Sequence, residues 1–230
     1  MSATLYGVGV GPGDPELITI KAYKTIEHAQ TIAIPSAKDT CMAYHIARQL
    51  IPELEQKTIL EIPMPMTKDT AILEESHKKG TDMIAKELKQ HHNVVFLTLG
   101  DPTIYSTYIY IHKSIHALGY STCIINGIPS FCAAAAALNT GLVEKDQPLI
   151  VIPSSYPVEN LLTQKGTKVL MKSGRKLPYV KEALKSQALQ AVMVENCTMT
   201  NEIQYRSLDE IPDNAGYYSL IIAKEDAVNI

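Results

Sequence analysis

Thr4-Leu5-Tyr6-Gly7-Val8-Gly9-Val10-Gly11-Pro12-Gly13-Asp14-Pro15 carries a β-like apolar run into a glycine-rich turn and then into a helix start. Residues 4–10 read as a first strand. Asp14 is placed as N-cap and Pro15 as first helical residue, where proline has no N–H to lose and its fixed φ suits the first turn. Leu17, Ile20, Ala22, Tyr23 and Ile26 then supply an apolar stripe at helical spacing. A glycine turn between strand and helix lets the backbone come close to a ligand. Two common ligands fail the pattern. A dinucleotide turn needs G-x-G-x-x-G with an acid about twenty residues on. Counted from Gly7 the third glycine becomes Pro12, counted from Gly9 it becomes Asp14, and the second strand ends in Ile34-Pro35-Ser36 without a carboxylate. A phosphate loop needs Gly-Lys-Ser/Thr, and the first lysine after these glycines, Lys21, is well inside the helix.

Outward from this turn, apolar runs alternate with helical patterns. Strands are expected at residues 31–34, 57–62, 93–99 and 121–125, with helices at 41–50, 71–90, a stretch ending at 118, and 130–138. The strand at 93–99 is carried by the continuous apolar run Val94-Val95-Phe96-Leu97, as in a strand buried on both faces. This alternation predicts an α/β fold with a mostly parallel sheet. The pattern turns polar around 141–148, which places a boundary between a domain of residues 1–143 and one of 144–230. The second domain should hold strands at 149–152, 167–171, 191–194 and 217–223 and helices at 158–164 and 176–187.

The opening turn has two companions at strand ends. Thr98-Leu99-Gly100-Asp101-Pro102-Thr103-Ile104-Tyr105-Ser106-Thr107 follows the fourth strand, and Asn126-Gly127-Ile128-Pro129-Ser130-Phe131 the fifth. In open parallel sheets the carboxyl ends of strands line one edge, so three such turns converge on a ligand crevice.

Composition narrows the classes. The chain has 230 residues, 46% of them hydrophobic, enough for one large core or two modest ones. A formal charge of −3 gives no basic field for nucleic acid or an anionic membrane. The longest apolar run, Phe131 to Leu138, is too short to span a bilayer, and residues 1–10 lack the pattern of a secretory leader, so a cytoplasmic protein is expected. Cys41, Cys123, Cys132 and Cys197 show no C-x-x-C spacing, which points to reduced, mostly buried thiols.

The three turns in this order resemble those of the tetrapyrrole (corrin and porphyrin) methylases: GVGVGPGD, LGDPTIYST and GIPSFCAAAA. Within that family, Glu61-Ile-Pro-Met-Pro-Met-Thr-Lys-Asp69, the Tyr-Ser-Thr after Gly-Asp-Pro, and Val194-Glu-Asn-Cys-Thr198 look like the branch that methylates C-20 of precorrin-2 or its cobalt form. The resemblance implies two α/β domains with S-adenosylmethionine in a trough between them, S-adenosylhomocysteine as product, a tetrapyrrole substrate and a homodimer. Carried over by motif, the cofactor contacts are Pro12, Leu99, Gly100, Asp101, Ile104, Thr107, Ser130 and Phe131, joined by Met171 and Cys197 from the second domain. The chain departs from the family in reading Asn126-Gly127-Ile128-Pro129 where Pro-Gly-Val-Ser is usual. It also lacks the Tyr-Asp-Arg cluster of the uroporphyrinogen branch, so that branch's general base is not inherited.

The implied reaction is attack of a meso carbon on a sulfonium methyl. It depends largely on collinear positioning, an effect worth up to roughly 7–11 kcal/mol. Asp101 and Tyr105 are the candidate proton acceptors; Asp101 reads equally as a turn cap and Tyr105 as a packing ring. Lys38, Lys68, Lys172, Arg175 and Lys176 are candidates for substrate carboxylates, or solvated surface groups; Arg175 has the fork for a bidentate grip. His112 and His116 have the spacing of a two-histidine metal site without a third ligand. No protein-bound metal is expected, and any cobalt arrives within the substrate. Other readings are a different member of the same family, acting at another corrin position or on diphthine, and a non-catalytic cofactor-binding module.

Overall fold

The computed structural model describes residues 3–67, 69–154 and 156–225, for Arg175 the backbone alone. The chain forms two compact units that divide between Pro129 and Ser130.

In the first unit, strands β1 (Thr4–Gly9), β2 (Thr31–Ile34), β3 (Thr58–Glu61), β4 (Val94–Thr98) and β5 (Ser121–Ile125) form one sheet in the order β3-β2-β4-β1-β5. Every pairing is parallel. Parallel neighbours require crossovers, supplied by helices α1 (Ile20–His28), α2 (Met42–Leu50), α3 (Thr70–Lys89) and α4 (Tyr108–Ala117). Both sheet faces are covered. Val8, Val95 and Leu97 pack with Ala22, Ile26, Tyr44 and Ile46 on one side, and Leu5, Val94 and Phe96 with Ile84, Tyr108 and Ile111 on the other. That two-sided burial is why β4 carries the unbroken apolar run Val94–Leu97 rather than alternating.

The entry to the first helix differs from expectation. Asp14 does cap, accepting from the Glu16 N–H at 2.8 Å, but Pro15–Leu17 closes only a short 3-10 turn. The α-helix starts at Ile20, capped by Thr19, whose hydroxyl accepts from the Ala22 N–H at 3.1 Å. Ile20, assigned to the apolar stripe, is 75% exposed because it sits in this first turn, facing away from the sheet.

The second unit begins with α5 (Ser130–Ala137) and holds β6 (Leu149–Pro153), α6 (Glu159–Leu162), β7 (Thr167–Met171), α7 (Leu177–Ser186), β8 (Gln190–Glu195), β9 (Ile203–Tyr205) and β10 (Ser219–Lys224). The sheet order is β6-β7-β10-β8-β9, with β6–β7 parallel and the other pairs antiparallel. Residues 130–143, expected with the first domain, group with this unit; α5 lies against β10. Ile152, Leu170, Met193 and Ile221 make an apolar floor under Val158, Leu177, Val180 and Leu184. The three-residue β9 on the sheet's rim has no counterpart in the sequence pattern. No helix among the described residues is long and apolar enough to cross a membrane.

Candidate functional site

Because β1 lies between β4 and β5 and runs parallel to both, the turns that leave these strands emerge side by side. They interlock through their backbones. Gly11 and Gly100 exchange hydrogen bonds, the Gly100 N–H donating to Gly11 O at 2.8 Å and the Gly11 N–H to Gly100 O at 3.3 Å. Both take left-handed φ, +74° and +70°, which explains glycine at each. The third turn closes on the same point: a Cβ at Gly127 would lie 2.2 Å from Gly100 O and 2.8 Å from the Gly9 carbonyl carbon.

Asp101 clasps this arrangement. Its Oδ1 accepts from the Thr103 N–H at 2.8 Å and the Thr103 hydroxyl at 2.5 Å. Its Oδ2 accepts from the Asn126 side-chain amide at 3.1 Å and the Gly127 N–H at 3.0 Å. The turn after β4 is thereby tied to the turn after β5. Burial pushes the carboxyl pKa up, but the bonds from Thr103, Asn126 and Gly127 outweigh it and hold the group below its ordinary value. Asp101 is 5% exposed, so a buried negative charge sits where the turns meet.

Pro12, Leu99, Gly100, Asp101, Ile104 and Thr107 all belong to this edge of the first unit. Tyr105, between Ile104 and Ser106, is exposed and has φ +48°, a left-handed conformation that is strained for a tyrosine. The Ser106 hydroxyl accepts from the Tyr108 N–H at 3.2 Å and steadies the entry to α4.

Ser130 and Phe131 open α5 in the second unit. There Met171 ends β7, and Cys197 follows the end of β8. Both strands pair antiparallel with β10, so their carboxyl ends share one edge, with Leu220 opposite Met171 and Ser219 opposite Glu195. Three non-glycine residues on this edge take left-handed φ: Lys172 (+60°), Asn196 (+52°) and Thr198 (+64°). They flank the two positions assigned to the cofactor by motif, and such strain concentrates at ligand sites. Burial, then the nearby Glu202, pushes the Cys197 thiol up to about 12, which leaves it neutral and unreactive.

Among the basic candidates, the Lys38 N–H donates to Glu61 Oε1 at 2.8 Å and its ammonium lies 5.1 Å over the Tyr44 ring. Lys172 stands in the turn after β7, and Lys176 is exposed just before α7. Lys68 lies outside the described residues, as does the Arg175 side chain. The His112 ring is already engaged, with Nδ1 3.0 Å from the Tyr108 hydroxyl and Nε2 3.4 Å from the Thr122 hydroxyl. Burial, then His116, lowers its pKa, favouring the neutral ring. His91 ends α3 with φ +62°, and His92 Nδ1 lies 3.1 Å from Glu87.

Sequence reasoning missed the partners of Asp101: Thr103, Asn126 and the Gly127 amide. The available signal was the Asn126-Gly127 pair in the place of a usual Pro-Gly, since asparagine adds an amide donor that proline lacks.

Residues 4–212 match the family model of the Tetrapyrrole (Corrin/Porphyrin) Methylases. The chain belongs to the tetrapyrrole methylases. This methylase is 33% identical over 228 residues to a probable cobalt-precorrin-2 C(20)-methyltransferase of Methanocaldococcus jannaschii, covering 96% of the chain and 95% of the relative. It is 30% identical to a precorrin-2 C(20)-methyltransferase of a Sinorhizobium species, covering 95% and 94%. Its fold is similar to that of uroporphyrin-III C-methyl transferase from Thermus thermophilus, solved with S-adenosyl homocysteine, at a TM-score of 0.73 and 19% identity over 97% of this chain and 98% of that one.

Proposed function

We propose that this methylase transfers a methyl group from S-adenosylmethionine to C-20 of precorrin-2, with preference for the cobalt-bearing form, in cobalamin biosynthesis. The observation that carries the reading is the 33% identity to the archaeal cobalt-precorrin-2 C(20)-methyltransferase, which runs over nearly the full length of both chains.

The residues present fit such a donor. A sulfonium is cationic and gains from the ionised, buried carboxylate of Asp101, while glycines at 9, 11, 100 and 127 keep the turn backbones free of side chains. Pro12, Leu99, Gly100, Ile104, Thr107, Ser130, Phe131, Met171 and Cys197 are the proposed donor contacts. When bound, the donor supplies an electrophilic methyl activated by its own charge, so the chain's task is to position and to exclude water.

Of the two groups expected to take a proton, Asp101 already accepts from four donors, which leaves no free lone pair for a fifth. Its proposed role is to lock the turns, and proton removal passes to Tyr105, whose exposed hydroxyl takes the substrate proton as it releases its own to water. Cobalt enters as part of the substrate. The working form in this proposal is a cytoplasmic homodimer, which sedimentation of the purified protein tests.

The decisive experiment supplies methyl-labelled S-adenosylmethionine with precorrin-2 and with its cobalt form and locates the label by NMR. Label at C-20 is expected. Label at another corrin position assigns the protein to a different branch, and tight S-adenosylhomocysteine binding without any transfer makes it a binding module.

A further inference from the structure

The donor contacts leave unused the two segments that follow β2 and β3, residues 35–41 and 62–67. Both strands run parallel with β4, so these segments leave from the same sheet edge as the three interlocked turns. They are tied into one lip. The Ile62 N–H donates to Ile34 O at 2.8 Å, the Met64 N–H to Pro35 O at 3.0 Å, and the Lys38 N–H to Glu61 Oε1 at 2.8 Å. Helix α3 holds the lip from behind. A Cβ at Gly80 would lie 2.5 Å from Ile62 Cγ2, and the Ser76 hydroxyl donates to Pro63 O at 2.5 Å.

Two side chains on this lip stand out. Met66 is 80% exposed, more than any other large hydrophobic side chain among the described residues, and Pro63 and Pro65 are exposed beside it. Lys38 is half-buried, and its ammonium lies 5.1 Å over the ring of fully buried Tyr44. Cation–π attraction fixes that charge in place without neutralising it. Among the described residues no carboxylate pairs with the Lys38 ammonium: Glu61 is engaged by the Lys38 N–H, and Asp69 by the Ala71 and Ile72 N–H groups that open α3. The Tyr44 helix, α2, also packs against residues 15–17, which continue the opening glycine turn.

We propose that Lys38 and Met66 form a substrate lip, the ammonium binding a rim carboxylate of the macrocycle and the methionine covering its flat apolar ring. The inference rests on the reading of the protein as a methylase acting on a carboxylate-fringed tetrapyrrole. The chemistry matches on both counts. An ammonium that has already lost part of its hydration gains from a carboxylate, whereas a metal cation or an amine would be repelled. Methionine is apolar, unbranched and polarisable, and it adapts to a flat conjugated face. Pro63 and Pro65 fix their own φ on either side of Met64, so little backbone freedom remains to be lost when a ligand settles there. The lip is also in the right place for methyl transfer. It leaves the same edge as the donor turns, with β2 the immediate neighbour of β4.

A carboxylate has two sources in this chemistry, the rim of the macrocycle and the amino-acid end of the methyl donor. An exposed methionine has a second use, contact with another copy of the chain. The test measures the affinity of Lys38→Met and of Met66→Gln for precorrin-2 by absorbance titration and for S-adenosylhomocysteine by calorimetry, with sedimentation of each variant. None of these requires turnover. Lys38→Met should bind precorrin-2 roughly tenfold more weakly and Met66→Gln roughly threefold more weakly, both with wild-type S-adenosylhomocysteine affinity, sedimentation and melting temperature. Lys38→Arg keeps a cation over Tyr44 and should stay within about threefold of the wild type, which separates loss of the charge from damage to the fold. Wild-type affinity for precorrin-2 in either truncated variant overturns the proposal. If Lys38→Met then loses S-adenosylhomocysteine instead, the ammonium serves the donor; if Met66→Gln sediments as a smaller species instead, the methionine serves a second copy of the chain. Wild-type protein that binds precorrin-2 without methylating C-20 defeats the functional reading alone, since the affinities of the variants still decide the lip; wild-type protein that binds no precorrin-2 defeats both.

Discussion

Replacing Asp101 with asparagine tests the clasp that joins the turns. An asparagine in the same place keeps one acceptor oxygen and presents an NH2 where the other was. If the oxygen faces Thr103, the NH2 meets the Asn126 amide at 3.1 Å and the Gly127 N–H at 3.0 Å, donor against donor. Asn126 can turn its own oxygen toward the new amide. The Gly127 N–H cannot turn and is left buried and unpaired. Hydrogen bonds to charged groups contribute about 1.5–3 kcal/mol each, and an unsatisfied buried donor costs about 1–3 kcal/mol. Relief of the buried carboxylate's desolvation offsets part of this, so a net destabilisation of about 2–4 kcal/mol is expected, a large share of the stability of an ordinary domain. Urea denaturation followed by circular dichroism measures it, and calorimetry should show weaker S-adenosylhomocysteine binding in parallel.

The pH dependence of the same variant carries a definite sign. The folded carboxyl titrates below its unfolded value, so the clasp is at full strength above the unfolded value near pH 3.9 and is lost as pH falls through the folded value. The stability gap between wild type and Asp101→Asn should therefore be flat at neutral pH and shrink below about pH 4. A gap under about 1 kcal/mol at pH 7, or one that widens in acid, would refute the assignment of Asp101 as an ionised clasp.

Gly127→Ala drives a methyl to 2.2 Å from a backbone oxygen, where no side chain can yield; a loss of about 3 kcal/mol and of donor binding is expected from melting and calorimetry, and a wild-type profile would contradict the interlocked turns. In the second unit Lys168 is fully buried and donates to Glu225 at 2.5 Å, with Glu225 half-exposed. Glu225→Ala strands the ammonium and should cost about 2 kcal/mol after allowance for solvent screening, whereas Lys168→Met should be near neutral; equal losses in the two would refute this account. Alkylation of the native protein at pH 8 should label exposed Cys132 well before buried Cys41 or Cys197, as read by peptide mass spectrometry; early labelling of Cys197 would contradict a thiol raised to about 12. Tyr105→Phe should lower kcat and leave donor affinity unchanged if its hydroxyl takes the proton, and an unaltered kcat would return it to a packing role.

Much of the first unit was legible because its signals are local. A parallel strand buried on both faces reads as an apolar run, so β2 falls at the expected residues, and Asn126-Gly127 marks the turn that ends β5 where it was expected. Local rules were weaker at the first helix. Asp14-Pro15 announces a helix start but closes only a short 3-10 turn, and the α-helix follows Thr19. The rim strand β9 was invisible because three residues are too few for a period.

By itself the sequence determined the strand and turn order, the glycines that permit close backbone approach, and through them the family. The tertiary structure alone decided what those glycines approach and that the Asp101 carboxylate ties its own turn to the Asn126 turn. The physical reason is that hydrogen-bond satisfaction and cross-strand register join residues distant along the chain. A serine at a strand end reads as an ordinary turn former until the sheet around it shows that its hydroxyl has no partner.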